Sequence, residues 1–129
     1  MFDHEKLEVY QIQLEFVGWV TPLLAKVREG EPRVVREVAD QLDRASLSML
    51  LNTAEGNGKR QPRVRAKFLD DSRGSTTECA ACLDALVAKR LCNQDQARDG
   101  KALLHRIVSM LTKLVERFDR EGRTTDECK

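Results

Sequence analysis

Four stretches of this chain repeat apolar residues at alternating steps of three and four, separated by short interruptions. Such spacing places each set on one face of an α-helix, and a helix with one apolar face must bury it against others. In the first stretch Leu7, Tyr10, Leu14, Val17, Thr21 and Leu24 predict a helix from about Asp3 to Arg28. Pro22 lies inside it; a missing backbone donor predicts a kink near its end. Glu29-Gly30-Glu31-Pro32 then breaks the pattern. The second stretch carries Val35, Val38, Leu42, Ala45, Met49 and Asn52 and stops at Gly56-Asn57-Gly58, with both glycines expected at positive φ. The third begins after Pro62 and carries Phe68, Ser72, Ser75, Cys79, Cys82 and Leu86, breaking near Leu91-Cys92-Asn93. The fourth carries Ala97, Gly100, Leu104, Ile107, Leu111, Leu114 and Phe118, with Asn93 or Asp95 as its N-cap.

Short connections between long amphipathic helices force neighbours to run in opposite directions. The expectation is an all-α, antiparallel up-down-up-down four-helix bundle. Residues 1–119 form a single domain in this reading, and 120–129 a polar C-terminal tail that frays. Composition agrees: 129 residues suffice for one core, and 5% aromatics with three prolines and seven glycines favour long helices over sheet. No apolar run approaches the roughly 20 residues of a membrane span. The first residues, Met1-Phe2-Asp3-His4-Glu5-Lys6, are too charged for a signal peptide, so the expected compartment is cytoplasmic.

The formal net charge is only +1, but its distribution is uneven. Lys59, Arg60, Arg63, Arg65, Lys67 and Arg73 cluster where the only acids are Asp70 and Asp71. One reading is a solvated turn between helices. The other is contact with nucleic-acid phosphates, which requires clustered cations and no particular base. Between Trp19 and Phe118 the only aromatic is Phe68, at a core position. The basic stretch therefore carries no aromatic platform for stacking bases, and any nucleic acid is expected to be held by shape and backbone rather than sequence.

Small and polar residues occupy positions where the second and third helices should be apolar. Ser48, Asn52, Glu55 and Lys59 line one stripe, and Ser75, Glu78 and Cys82 another. Arg44 and Arg73 are placed to pair with Glu55 or Glu78. The stripes are either a polar network at a helix or subunit contact, or a site in which Glu55 and Glu78 act as paired acid and base. No nucleophile, metal set or convergent histidine accompanies them, so no enzymatic activity and no catalytic residue is expected. Glu55 stands near a helix C-terminus, where the dipole disfavours an anion, so it needs a cationic partner.

Cys79-Ala80-Ala81-Cys82 has the form of a CxxC pair, but Cys92, Cys128, His4 and His105 lie at poor spacing for further ligands. One helical turn apart, the two cysteines read as core, with metal or redox chemistry the weaker alternative; no metal and no cofactor is expected. The second helix also carries Leu47, Leu50 and Leu51 besides Met49 and Ala54. This is more apolar surface than one buried stripe uses, which points to a homo-oligomer.

Two strings carry a family resemblance. The first is Arg44-Ala45-Ser46-x-Ser48, followed by Asn52-x-Ala54-Glu55-Gly56-x-Gly58-Lys59-Arg60 and approached by Gln41-Leu42-x-Arg44. The second is Phe68-Leu69-x-x-Ser72-Arg73-Gly74-Ser75-x-x-Glu78. Together they resemble the four-helix-bundle proteins named for intervening sequences in bacterial 23S ribosomal RNA genes. The resemblance implies a cytoplasmic homopentamer with a basic channel and no known catalysis. It also implies kinship with accessory variability proteins of diversity-generating retroelements, which bind nucleic acid and a reverse transcriptase. By resemblance, Arg44, Ser48, Asn52, Glu55, Gly56, Gly58, Arg73, Gly74, Ser75 and Glu78 belong to the motif, with structural roles. Two positions depart from the pattern: Arg65 stands where the family commonly has an aromatic residue, and Asp71 where it tends to a small or apolar one. Both bear on how positive such a channel would be.

The leading expectation is a non-enzymatic, oligomeric bundle that binds RNA or DNA through phosphates. Its rival is a protein-interaction adaptor, for instance for a reverse transcriptase.

Overall fold

The computed structural model describes residues 1–29 and 34–127. A 3₁₀ turn at Asp3–Lys6 precedes four helices: α1 (Glu8–Arg28), α2 (Val34–Asn57), α3 (Pro62–Ala88) and α4 (Gln94–Glu127). Among the described residues there is no strand, so the chain is all-α. None of these helices is long and apolar enough to cross a membrane.

Local chemistry explains most helix ends. Pro62 is the first residue of α3, where its missing N–H costs no helical bond. Asn93 caps α4: its Oδ1 accepts from the Gln96 N–H at 2.8 Å, and Gln96 Oε1 accepts from the Asn93 N–H at 2.8 Å. Asp95, the other expected cap, instead pairs with Arg98. α3 closes with Arg90 at φ 62° and the Leu91 N–H bonded to the Leu86 carbonyl at 2.9 Å. This is the left-handed closure that usually employs glycine.

Each helix runs close beside two others. α3 lies most extensively against α2 and α4, and α1 completes the ring by touching the same two. Along α2 and α3, Gln41 meets Glu78, Ser48 meets Ser75, Thr53 meets Ser72 and Asn57 meets Arg65. Numbers rise on one helix as they fall on the other. The same holds for α3 and α4, where Asp84 meets Lys101 and Arg73 meets Thr112. This order is compatible with the expected up-down-up-down arrangement.

The core centres on Phe16, Leu42, Met49, Leu83, Leu86, Leu104, Ile107 and Leu111, all essentially solvent-free. Each such side chain contributes about 1.5–3 kcal/mol through burial. The expected stripes of α2 and α4 hold at Leu42, Ala45, Met49, Ala97, Leu104, Ile107, Leu111 and Phe118. The expected stripe of α1 is fully buried only at Leu24. Leu14 is 45% exposed and Thr21 is exposed, while Val9, Ile12, Gln13, Phe16, Val20, Leu24 and Val27 are buried. Two apolar stripes run side by side on α1, and the one containing Phe16 turns inward because it offers the larger area to bury. Phe68 is half-buried rather than core, and Leu69 beside it takes the interior place. The side chain of Val35 and the break at Gly30-Glu31-Pro32 lie outside the described residues.

Neither Gly56 nor Gly58 ends α2 through positive φ, since no described glycine adopts it. Gly56 is required for space instead: a Cβ there would stand 2.8 Å from Phe68 Cβ and 3.4 Å from the Arg65 carbonyl. That close approach brings the last turn of α2 onto the first turns of α3. Beyond the expected domain end α4 remains helical to Glu127, and Gly122 is buried against Arg63. Cys128 and Lys129 lie outside the described residues.

Candidate functional site

The basic residues divide into two groups once the helices are packed. Arg65 and Arg73 face neighbouring elements. Arg65 Nη2 donates to Asn57 Oδ1 at 2.9 Å, and its guanidinium lies 4.6 Å from the centre of the Phe118 ring. Arg73 pairs with Asp70 and donates to Thr112 Oγ1 at 3.2 Å, joining α3 to α4. The rest stay at the surface of the α2–α3 turn. Arg60 and Arg63 are exposed. Lys59 stands 3.9 Å from Glu55, and Lys67 stands 3.7 Å from Asp71. Both lysines also lie over the Phe68 ring, at 5.3 and 5.1 Å from its centre. Phe68 thus acts as a shared pedestal that holds two ammonium groups outward.

Sequence reading missed the contribution of α4 to this end of the molecule. An open cleft of about 660 Å³ is lined by Pro62, Arg117, Arg120, Glu121 and Thr124. Arg117 bonds Glu121 at 3.1 Å and lies 5.2 Å from the Phe118 ring centre. The spacing of Arg117 and Arg120 along a helix was visible in the sequence. Their position beside Pro62 was not.

The polar stripes resolve into a network of limited reach. Ser48 and Ser75 share a hydrogen bond at 2.9 Å, and Asn52 Nδ2 donates to the Ser48 carbonyl at 2.9 Å. Arg44 does not pair with Glu78 directly. It donates to Gln41 Oε1 at 2.9 Å, and Gln41 in turn donates to Glu78. Nor does Arg73 reach Glu55, whose cationic partner is Lys59. Because Glu78 faces Gln41, Glu55 lies roughly 20 Å further along α2 at a helical rise of about 1.5 Å per residue. The two carboxylates are far too distant to act as one acid–base pair. Gly74 is exposed and a Cβ there would meet nothing within 4 Å, so no packing in the isolated chain demands glycine.

A deeper polar layer escaped the sequence reading. Gln13, Thr53 and Ser72 are fully buried. Gln13 Nε2 donates to Thr53 Oγ1 at 2.9 Å and to Ser72 Oγ at 3.1 Å, and Ser72 donates to the Met49 carbonyl at 2.8 Å. Thr53 and Ser72 hydroxyls lie 2.8 Å apart. Gln13 Oε1 alone finds no donor. The signal was the pair of hydroxyl residues inside apolar stripes; nothing marked Gln13.

Cys79, Cys82 and Cys92 are buried free thiols. Burial, reinforced by Cys82 and Glu78, pushes the Cys79 thiol up to about 12. Burial, then Glu78, raises Cys82 as well. A thiol held protonated in apolar surroundings is a poor nucleophile and a poor ligand, as the core reading requires. Among the described residues no group of three or more His, Cys, Asp or Glu converges.

The sequence matches the model of a family described as 23S rRNA-intervening sequence protein over residues 5–113. The fold is similar to a crystal structure from Bacteroides thetaiotaomicron, a protein of unknown function from the S23 ribosomal protein family. The TM-score is 0.76 and the identity 17%, covering 83% of this chain and 97% of that one. At such identity the likeness speaks for the fold alone. No curated protein matches the chain.

Proposed function

The chain belongs to the 23S rRNA-intervening sequence protein family, and on that premise we propose a non-enzymatic, oligomeric, antiparallel up-down-up-down bundle that binds nucleic acid through backbone phosphates. The observation that carries this reading is the weak engagement of the two turn lysines, Lys59 and Lys67. The Lys59–Glu55 and Lys67–Asp71 pairs are long and at least 42% exposed on every side chain. Exposed pairs of this kind are worth about 0–1 kcal/mol, so a phosphate replaces the carboxylate at little cost. Arg60 and Arg63 extend the surface these two lysines begin. Arg65 and Arg73 serve as positioning residues behind it. With contacts made to phosphate, specificity for base sequence is low.

The direct test is binding of RNA and DNA at several salt concentrations. Affinity should fall steeply as salt rises. A well-folded protein that binds neither at about 50 mM salt would overturn the reading.

A second reading is an adaptor that docks a protein, for example the reverse transcriptase of a diversity-generating retroelement. It draws support from Leu47 and Leu51, 53% and 54% exposed one turn apart on α2. The same leucines suit self-association, for which family resemblance suggests a homopentamer in the cytoplasm. Light scattering on Leu47→Glu and Leu51→Glu separates the two uses. Loss of the oligomer assigns the face to subunit contact; an intact oligomer that no longer captures its protein partner assigns it to docking.

A further inference from the structure

The rings of Phe68 and Phe118 beside the basic turn are already covered by cations, two on each. A different aromatic set reaches this end of the molecule, contributed by the far N-terminal part of the sequence. The 3₁₀ turn doubles the chain back on itself. The Phe2 N–H donates to Glu5 Oε2 at 2.7 Å, the Glu5 N–H donates to the Phe2 carbonyl at 3.1 Å, and Gln11 Nε2 donates to the Glu5 carbonyl at 3.2 Å. Asn57 Nδ2 donates to Asp3 Oδ2 at 2.9 Å, while Asn57 Oδ1 receives Arg65. Asn57 lies at the end of α2, just before Lys59 and Arg60. The turn is therefore fastened to the rim of the basic surface.

Phe2 stands on this turn 75% exposed. Its ring is nearly parallel to His4, with 19° between the planes and 5.8 Å between the centres. His4 in turn meets Tyr10 edge-on at 4.8 Å. Tyr10 is half-buried, so the ladder is rooted in the fold while its outer face is open to solvent. Two of the nearby acids already accept hydrogen bonds, Asp3 from Asn57 and Glu5 from the Phe2 N–H.

We propose that Phe2, backed by His4 and Tyr10, is a stacking platform for unpaired bases whose phosphates lie on Lys59 and Arg60. The proposal rests on the phosphate-binding reading above and narrows its ligand to single-stranded nucleic acid. In a duplex, bases are stacked on one another and their faces are inaccessible. In a single strand every base offers a π-face, which suits a protein that reads no sequence. The Phe2 backbone is fixed by hydrogen bonds, so its phenyl ring has only two side-chain rotations to lose on binding.

The test uses the full chain and a single-stranded oligonucleotide carrying the fluorescent base 2-aminopurine, compared with the same strand in a duplex. Tighter binding of the single strand and quenching of its fluorescence are expected. Phe2→Ala should weaken it roughly tenfold, the order of one lost base–aromatic stack, and abolish quenching. The salt dependence should be unchanged because no phosphate contact is removed, and Phe2→Trp should restore binding. Unchanged affinity and quenching in Phe2→Ala, or tighter binding of the duplex, overturns the platform and leaves the phosphate reading standing. Failure of both strands to bind the parent protein overturns the two together.

Discussion

The buried layer of Gln13, Thr53 and Ser72 and the basic turn around Lys59 use polar groups in opposite ways. In the layer, two hydroxyls and an amide bond one another and the Met49 carbonyl inside the core, joining α1, α2 and α3. Losing Ser72, which contacts Gln13, Thr53 and the Met49 carbonyl, leaves buried polar groups short of partners in a medium without water. At the turn, cations rest on aromatic faces and on exposed carboxylates 3.7–3.9 Å away. Water competes for every one of these contacts, so each is weak and exchangeable. The first arrangement specifies how helices fit; the second leaves charge available to another molecule.

The largest expected effect attacks the layer. Ser72→Ala removes a group bonded to Gln13, Thr53 and Met49 and should cost about 1–3 kcal/mol in chemical denaturation. A cost near zero would mean that water already serves these groups. Next comes the joint between the two regions. Gly56→Ala gains about 1 kcal/mol of helix propensity but drives a Cβ to 2.8 Å from Phe68 Cβ, an atom fixed by its backbone. Overpacking of about 1–3 kcal/mol should prevail, lowering stability and displacing the lysine pedestal, visible as weaker nucleic-acid binding. Gln13→Leu sharpens the contrast inside the layer. It removes the unsatisfied Oε1 while Thr53, Ser72 and the Met49 carbonyl continue to satisfy one another. Stability should stay within about 1 kcal/mol of the parent or rise, because deleting an unpaired group offsets the lost bonds. The smallest effect on folding belongs to the turn. Lys59→Gln and Lys67→Gln should each change stability by under about 0.5 kcal/mol. Each should nonetheless lower the logarithmic salt dependence of nucleic-acid binding by about one unit. Lysine variants that unfold the protein would erase the distinction between the regions.

Much of the fold was legible because helical periodicity and helix punctuation are local. Pro62 opening α3, Asn93 capping α4 and the apolar faces of α2 and α4 follow from residues a turn or two apart. The face of α1 was not, since two overlapping stripes satisfy the same spacing and only the neighbours choose between them. Gly56 was correctly singled out for the wrong reason. Its glycine character answers to Phe68 across the helix interface and not to its own φ. The candidate site was half legible. Clustering of cations is a property of the string, but which of them contact other helices depends on where Asn57, Phe118 and Thr112 arrive. The aromatic ladder at Phe2 was invisible as a neighbour of the turn, because most of α1 and all of α2 separate the two in sequence.

By itself the sequence determined an all-α chain of four helices, the breaks after α2 and α3, a basic turn and the family motifs. Each of these depends on side chains within one or two turns of each other, where backbone geometry alone decides who meets whom. Tertiary structure decided the rest: which stripe of α1 is core, why Gly56 lacks a side chain, which arginines are spent on the fold, and which ring borders the cations. Those outcomes are set by contacts between residues distant in the chain, and competition for limited buried space fixes them only when all four helices are in place.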